Sequence, residues 1–141
     1  MDKIPKLPPK YSKYSRLIEE MIKRGYQFVE YVKAIHRITF FYPNRQIYVG
    51  ILYRSDVIDI DSHDHVYAIT IDYAENYVEY KVEDTKIEYR IVEYGIPPEF
   101  QFENLLDTID RILYFPSFVL YKIRILGAEA RLDKMQMRVK K

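Results

Sequence analysis

The densest run of side chains able to ligate a metal is Asp59-Ile-Asp61-Ser-His63-Asp-His65. Imidazole suits zinc and carboxylate suits magnesium or manganese, so Asp61, His63 and His65 are the candidate ligands. The run lacks the spacing of H-E-x-x-H. It also reads as a hairpin tip, where Asp, Ser and His are ordinary solvated turn residues. Ser62, His63 and Asp64 do not make a catalytic triad, because adjacent residues do not turn their side chains onto one another. Cysteine is absent, which excludes thiolate zinc sites, thiol nucleophiles and disulfides.

A second constellation is Glu79-Tyr-Lys81, with Asp72 or Asp59 upstream. It resembles the E-x-K strand, preceded by an acidic residue, of restriction-endonuclease-like nucleases. The resemblance covers only these few residues. It implies that Asp72 and Glu79 hold a divalent ion such as Mg²⁺ or Mn²⁺, and that Lys81 helps position a nucleophilic water. A structural role competes with it. In the strand register derived below, Glu79 faces Arg90 and Lys81 faces Glu88, complementary pairs worth a few tenths of a kcal/mol, about what such cross-strand pairs supply.

The third set lies at the chain ends. Lys3, Lys6, Lys10, Lys13 and Arg16 precede the first apolar stripe, with Tyr11 and Tyr14 interleaved. Arg131, Lys134, Arg138, Lys140 and Lys141 close the chain. Lysine-rich segments neutralise phosphates without reading bases, so these residues are the candidate nucleic-acid contacts. No helix-turn-helix, zinc-finger or RNA-recognition signature adds specificity. With four glycines in all and no G-x-x-x-x-G-K-[ST] or G-x-G-x-x-G, a standard glycine-rich nucleotide loop is excluded.

The elements that must carry these residues can be read from period. Residues 1–11 are rich in Pro and Lys and predict an extended, mobile basic arm. Within it, Pro5-Lys-Leu-Pro8-Pro9-Lys10 fits a loose polyproline-ligand pattern. From Ser15, Leu17, Ile18, Met21, Ile22, Phe28, Val29, Val32 and Ile35 recur at helical spacing, predicting a helix to about Ile35 unless Gly25 ends it. The middle reads as an antiparallel meander. One hairpin pairs Ile38 with Ile51, Phe40 with Val49 and Tyr42 with Ile47. The next turn, Ser62–His65, pairs Ile58 with Ile69 and Ile60 with Tyr67. Asp72 then faces Tyr77. A two-residue turn at Asp84-Thr85 pairs Val82 with Ile87 and Tyr80 with Tyr89. Every register gathers the apolar side chains on one face, as a half-buried sheet requires. The outward face keeps Phe41 opposite Tyr48, with Val57, Val66, Tyr77 and Val92 among charges, which points to cover by the C-terminal segment or a second subunit, or to base stacking. Pro97-Pro98 opens a second helix with the stripe Phe102, Leu105, Leu106, Ile109, Ile112 and Leu113, and Pro116 ends it. Val119 to Ile125 reads as a strand, and Met135, Met137 and Val139 as a last short one. The fold class is α+β, a two-layer arrangement of a mainly antiparallel β-meander sheet with two helices packed on one face. The domain division is a basic arm over 1–11 and a single α+β domain over 12–141.

The 141 residues carry a net charge of +1 that hides its layout: +7 over residues 1–55, −12 over 56–110 and +6 over 111–141. Such asymmetry points to nucleic-acid contact, unless the basic ends fold against the acidic middle and neutralise it. Hydrophobic residues at 48% and charged residues at 30% indicate a globular chain rather than a disordered one. Few amides, no cysteine and many Ile, Tyr and Lys suggest a heat-adapted protein of crenarchaeal or archaeal-viral type. No stretch approaches the roughly 18 apolar residues of a membrane span, and the start has no apolar signal core, so a cytoplasmic location is expected. The sequence thus predicts a thermostable, homodimeric protein that binds nucleic acid through phosphates without sequence preference. The alternatives are a metal-dependent nuclease on Asp72, Glu79 and Lys81, and a structural or protein-interaction module.

Overall fold

Period-two alternation through the middle of the chain gives a sheet with one apolar face. In the computed structural model, which describes residues 3–43, 46–62, 67–84, 87–114 and 137–139, eight strands lie side by side in chain order. They are β1 (Gln27–Val32), β2 (Arg37–Tyr42), β3 (Ile47–Leu52), β4 (Val57–Ser62), β5 (Tyr67–Asp72), β6 (Tyr77–Asp84), β7 (Ile87–Tyr94) and β8 (Met137–Val139). Each neighbouring pair is antiparallel. Helix α1 (Ser12–Lys23) precedes the sheet and α2 (Leu105–Tyr114) follows β7. The fold is therefore α+β: an antiparallel meander plus two helices.

α1 buries Tyr14, Leu17, Ile18 and Met21, the i, i+3, i+4, i+7 set of one helix face. These join Phe100, Leu105, Leu106 and Ile109 from the second helical region, and Ile38, Phe40, Ile51, Ile58, Ile60, Ile69 and Ile71 from the strands, in one core. Each fully buried Ile or Phe contributes about 1.5–3 kcal/mol relative to leaving it in water. Among the described residues no helix is long and apolar enough to cross a membrane.

Several expectations are corrected. The first helix does not run to Ile35. Gly25 ends it at φ 96°, a left-handed conformation that glycine adopts at no steric cost. Its N–H donates to the Ile22 carbonyl at 3.1 Å, and the Tyr26 N–H donates to the Met21 carbonyl at 3.0 Å. The segment beyond is two strands, joined by a 3₁₀ turn at Lys33–Ile35 and by His36 at φ 51°. Val29 and Ile35, taken as part of a helical stripe, are exposed. The second helical region opens with two 3₁₀ turns, Pro98–Phe100 and Phe102–Asn104, because Gln101 between them is extended. The arm is anchored: Leu7 is buried, Ile4 is partly buried against the core, and the Tyr11 ring meets Tyr53 edge-on at 5.0 Å.

The β2–β3 pairing is the expected one, and so is Asp72 opposite Tyr77. Two others are shifted by two residues. Ile58 faces Ile71 and Ile60 faces Ile69, which lets all of β4 pair with all of β5. Val82 faces Tyr89 and Tyr80 faces Ile91, with Asp84 and Ile87 closing the ladder. A slip of two keeps every side chain on its face, so the alternation could not exclude it. The strand expected over 119–125 and the helix stop at Pro116 lie outside the described residues. The short strand expected around Met137 and Val139 is β8.

Candidate functional site

The first turns of α1 and the chain before it present a row of cations. Lys3, Lys6, Lys10 and Arg16 are exposed, and none of them enters an ion pair among the described residues. The spacing explains the row: Ile4 and Leu7 turn inward, so Lys3, Lys6 and Lys10 turn out, and Lys13 and Arg16 continue the line at i+3 along α1. Lys10 Nζ sits 5.2 Å from the centre of the Tyr11 ring.

Lys13 differs from its neighbours. Its Nζ lies 2.9 Å from Asp56 Oδ1 and within 5.1, 5.3 and 5.8 Å of the Tyr14, Phe102 and Tyr73 ring centres. Tyr14 also donates its hydroxyl to Asp56 Oδ1. Burial, then Asp56, push the Tyr14 phenol well above the ordinary tyrosine range. Beyond Lys13 an open cavity of about 710 Å³ runs between α1 and the 3₁₀ turns, lined in part by Arg16, Arg24, Tyr73, Gln101 and Phe102. Arg24 is engaged by Asp107 at 2.8 Å, Asp110 at 3.3 Å and Glu20 at 3.4 Å.

Arg131, Lys134, Lys140 and Lys141 lie outside the described residues. Arg138 is on β8, where its backbone pairs with Glu88. Sequence reasoning passed over Lys33 and Arg54. Both are exposed, in the β1–β2 and β3–β4 turns at the end of the sheet where Tyr11 meets Tyr53. Tyr31, His36 and Tyr53 tie those turns together. The Tyr31 and Tyr53 hydroxyls are 3.0 Å apart, and His36 Nδ1 lies 3.2 Å from Tyr53 Oη. Burial is the main cause that pushes the Tyr53 phenol up to about 12.

Asp72, Glu79 and Lys81 share the outward face of β5 and β6. Each has a protein partner. Asp72 Oδ1 accepts the Glu75 N–H at 2.8 Å within the β5–β6 turn. Arg90 Nε donates to Glu79 Oε2 at 2.8 Å. Lys81 Nζ lies 4.0 Å from Glu88 Oε2. The two ion pairs expected from the sequence thus form, as diagonals rather than direct opposites, since Glu79 faces Val92 and Lys81 faces Arg90. Of the candidate metal ligands, Asp61 lies on the outward face of β4, while His63 and His65 lie outside the described residues. Among the described residues no three His, Asp or Glu side chains converge as a metal-binding group.

The outward face also holds a groove of about 390 Å³, lined among others by Glu30, Arg37, Thr39, Tyr48, Asp61 and Lys81. Phe41 and Tyr48 pack beside it at 4.8 Å, the expected opposite pair. Arg37 lies across β3 on Gly50, where a Cβ would come within 2.5 Å of its Nε. The Asp59 carboxyl, opposite Gly50, is raised above its ordinary value. Burial is the main cause, Asp61 and Glu79 add to it, and a Thr70 hydrogen bond and Arg37 oppose it.

Comparison with protein-family models, with curated proteins and with solved structures gives no match.

Proposed function

We propose that the protein binds nucleic acid without sequence preference, meeting phosphates with Lys3, Lys6, Lys10 and Arg16. The observation that carries this reading is the contrast among cations. Lys13, Arg24, Lys81 and Arg90 all have carboxylate partners, whereas these four, all exposed within the first 16 residues, have none among the described residues. Unpaired surface cations release phosphate counterions on binding, and that release supplies most of non-specific affinity. The cavity beside Arg16 adds Tyr73 and Phe102 as aromatic walls. Glu79 and Lys81 are held by Arg90 and Glu88, so the geometry favours binding over a Mg²⁺-dependent nuclease.

The test is a native gel of end-labelled linear duplex, with Mg²⁺ and with EDTA. The expected result is a shift without shortening in both buffers, lost when Lys3, Lys6, Lys10 and Arg16 are all changed to Glu. Mg²⁺-dependent shortening that Glu79→Ala abolishes would replace binding with catalysis. Absence of a shift at low salt would end the nucleic-acid reading for duplex DNA.

A further inference from the structure

The groove on the outward face contains charges of both signs that do not satisfy one another. Glu30, Arg37 and Asp61 all line it, and none of the three forms an ion pair among the described residues. Nearby on the same face, charges do find partners: Glu79 with Arg90 and Glu88 with Lys81. Arg37 is the sharpest case. Its side chain is half-buried, and its Nε is shielded from solvent with no hydrogen-bond partner among the described residues. A buried guanidinium N–H without a partner is costly, the more so because the group is charged, so its position needs an explanation.

The backbone is shaped to allow that position. Gly50 sits in the middle of β3, where a side chain would ordinarily strengthen the strand. A Cβ there would lie 2.5 Å from Arg37 Nε, 2.7 Å from one terminal nitrogen and 2.9 Å from Cζ. Only glycine lets the guanidinium lie flat across the strand. Across the groove from it, Ala68 in β5 keeps the floor low between Asp61 and Lys81, its two neighbours in the register. Thr39 is buried although it lies on the outward face, which gives the groove its depth. Tyr48 supplies one aromatic wall.

Opposite charges that face one groove without reaching each other are complementary to a ligand whose own charges are adjacent and reversed. We propose that this groove binds a small zwitterion of the α-amino-acid class, its carboxylate on Arg37 and its ammonium on Asp61. Arginine is the side chain best matched to a carboxylate, through two parallel N–H···O bonds. The volume of about 390 Å³ lies in the range of small-molecule sites and accommodates a free amino acid or a dipeptide. The Tyr48 ring gives an apolar surface for the ligand side chain.

The experiment is thermal-shift screening of the full chain with the common free amino acids and glycylglycine at about 10 mM, which nearly saturates a 1 mM site. Acetate and methylammonium serve as single-charge controls, and hits are titrated by calorimetry. At least one zwitterion is expected to raise the melting temperature while neither control does. Its affinity should fall at least about tenfold in Arg37→Gln and in Asp61→Asn, a loss of about 1.4 kcal/mol. Gly50→Ala keeps every charge but displaces the guanidinium, and should weaken binding comparably. Circular dichroism reports whether each variant folds; if Arg37→Gln does not, Asp61→Asn decides. The proposal is overturned if no zwitterion shifts the protein, if acetate matches the best amino acid, or if folded variants bind as the parent does.

Discussion

If Lys3, Lys6, Lys10 and Arg16 are the phosphate contacts, salt must reveal their number. Each neutralised phosphate on duplex DNA contributes about −0.9 to the slope of log affinity against log salt, so four contacts give about −3.6. Raising salt from about 50 to 200 mM should then weaken binding roughly 150-fold. Changing Lys10 and Arg16 together to Gln should halve the slope to about −1.8 and reduce that loss to roughly 12-fold. Lys13→Gln is the internal control. Its ammonium is held 2.9 Å from Asp56, so it has little counterion to release and should barely change the slope. Fluorescence anisotropy of a labelled duplex over a salt series measures all three slopes. A parent slope near −8, by the same rule, would mean that the five C-terminal cations join the contact. A slope shallower than about −1 would refute the phosphate argument. So would a Lys13→Gln variant that loses as much slope as either single change at Lys10 or Arg16, because pairing would then not decide which cations act.

Three further outcomes follow from packing and titration. Gly25→Ala places a Cβ on a residue at φ 96°, and should destabilise the fold by about 1–2 kcal/mol in urea titration; an unchanged midpoint would mean that the α1 stop is not built on Gly25. Burial pushes the Tyr53 and Tyr67 phenols up to about 12 and those of Tyr14, Tyr26, Tyr73 and Tyr80 higher still. Because an unfolded tyrosine ionises near 10, stability should be full below that pH and fall as pH rises toward 12, with phenolate absorbance of these residues appearing only on unfolding; a smooth titration of all tyrosines near 10 in the native protein would contradict this. The Asp59 carboxyl is also raised, so its ionised form opposes folding at neutral pH and acidification through its native pKa relieves that cost. Asp59→Asn should therefore be as stable as the parent or more so at pH 7, with the difference vanishing in acid, and a strongly destabilised variant would show that Asp59 is held by favourable charge instead.

The sheet was legible because its alternation is nearly unbroken. Like-with-like pairing placed Ile38 against Ile51 and Phe40 against Val49 correctly, and it put Phe41 outside with Tyr48. It failed where it had to, at the β4–β5 and β6–β7 turns, because a slip of two residues returns every side chain to the same face. The ion pairs Glu79–Arg90 and Lys81–Glu88 survived the slip, since long side chains reach diagonally as well as across. The helix expected to continue to Ile35 failed for another reason. Phe28, Val29, Val32 and Ile35 satisfy a helical stripe as well as one short strand and the 3₁₀ turn after it, and only the glycine at 25 marked the boundary. Of the groove, Asp61 and Lys81 were visible as residue types, but Arg37 was not. Its signal was Gly50, a lone glycine inside a strand, which marks the close approach of another group.

The charge layout of the chain decides where a polyanion can approach. The acidic middle of the sequence could have neutralised both basic ends, and it does so only in part. Asp56 takes Lys13, and Asp107 and Asp110 take Arg24, so these two cations of the basic region are spent inside the molecule. On the outward face of β4 to β7, Asp59, Asp61, Asp72, Glu79 and Glu88 outnumber Lys81 and Arg90, so that face repels phosphate. The other cations of the chain before α1 and of its first turns stay free of such pairs among the described residues. There Ile4 and Leu7 dock on the core and hold Lys3, Lys6 and Lys10 outward. The anchoring matters for binding. A cation on a docked segment has already lost the conformational entropy that a mobile arm would lose on meeting phosphate. Leu7→Ser should thus weaken duplex binding although it removes no charge. Equal affinity in that variant, with the fold intact, would show that a loose arm serves as well as an anchored one.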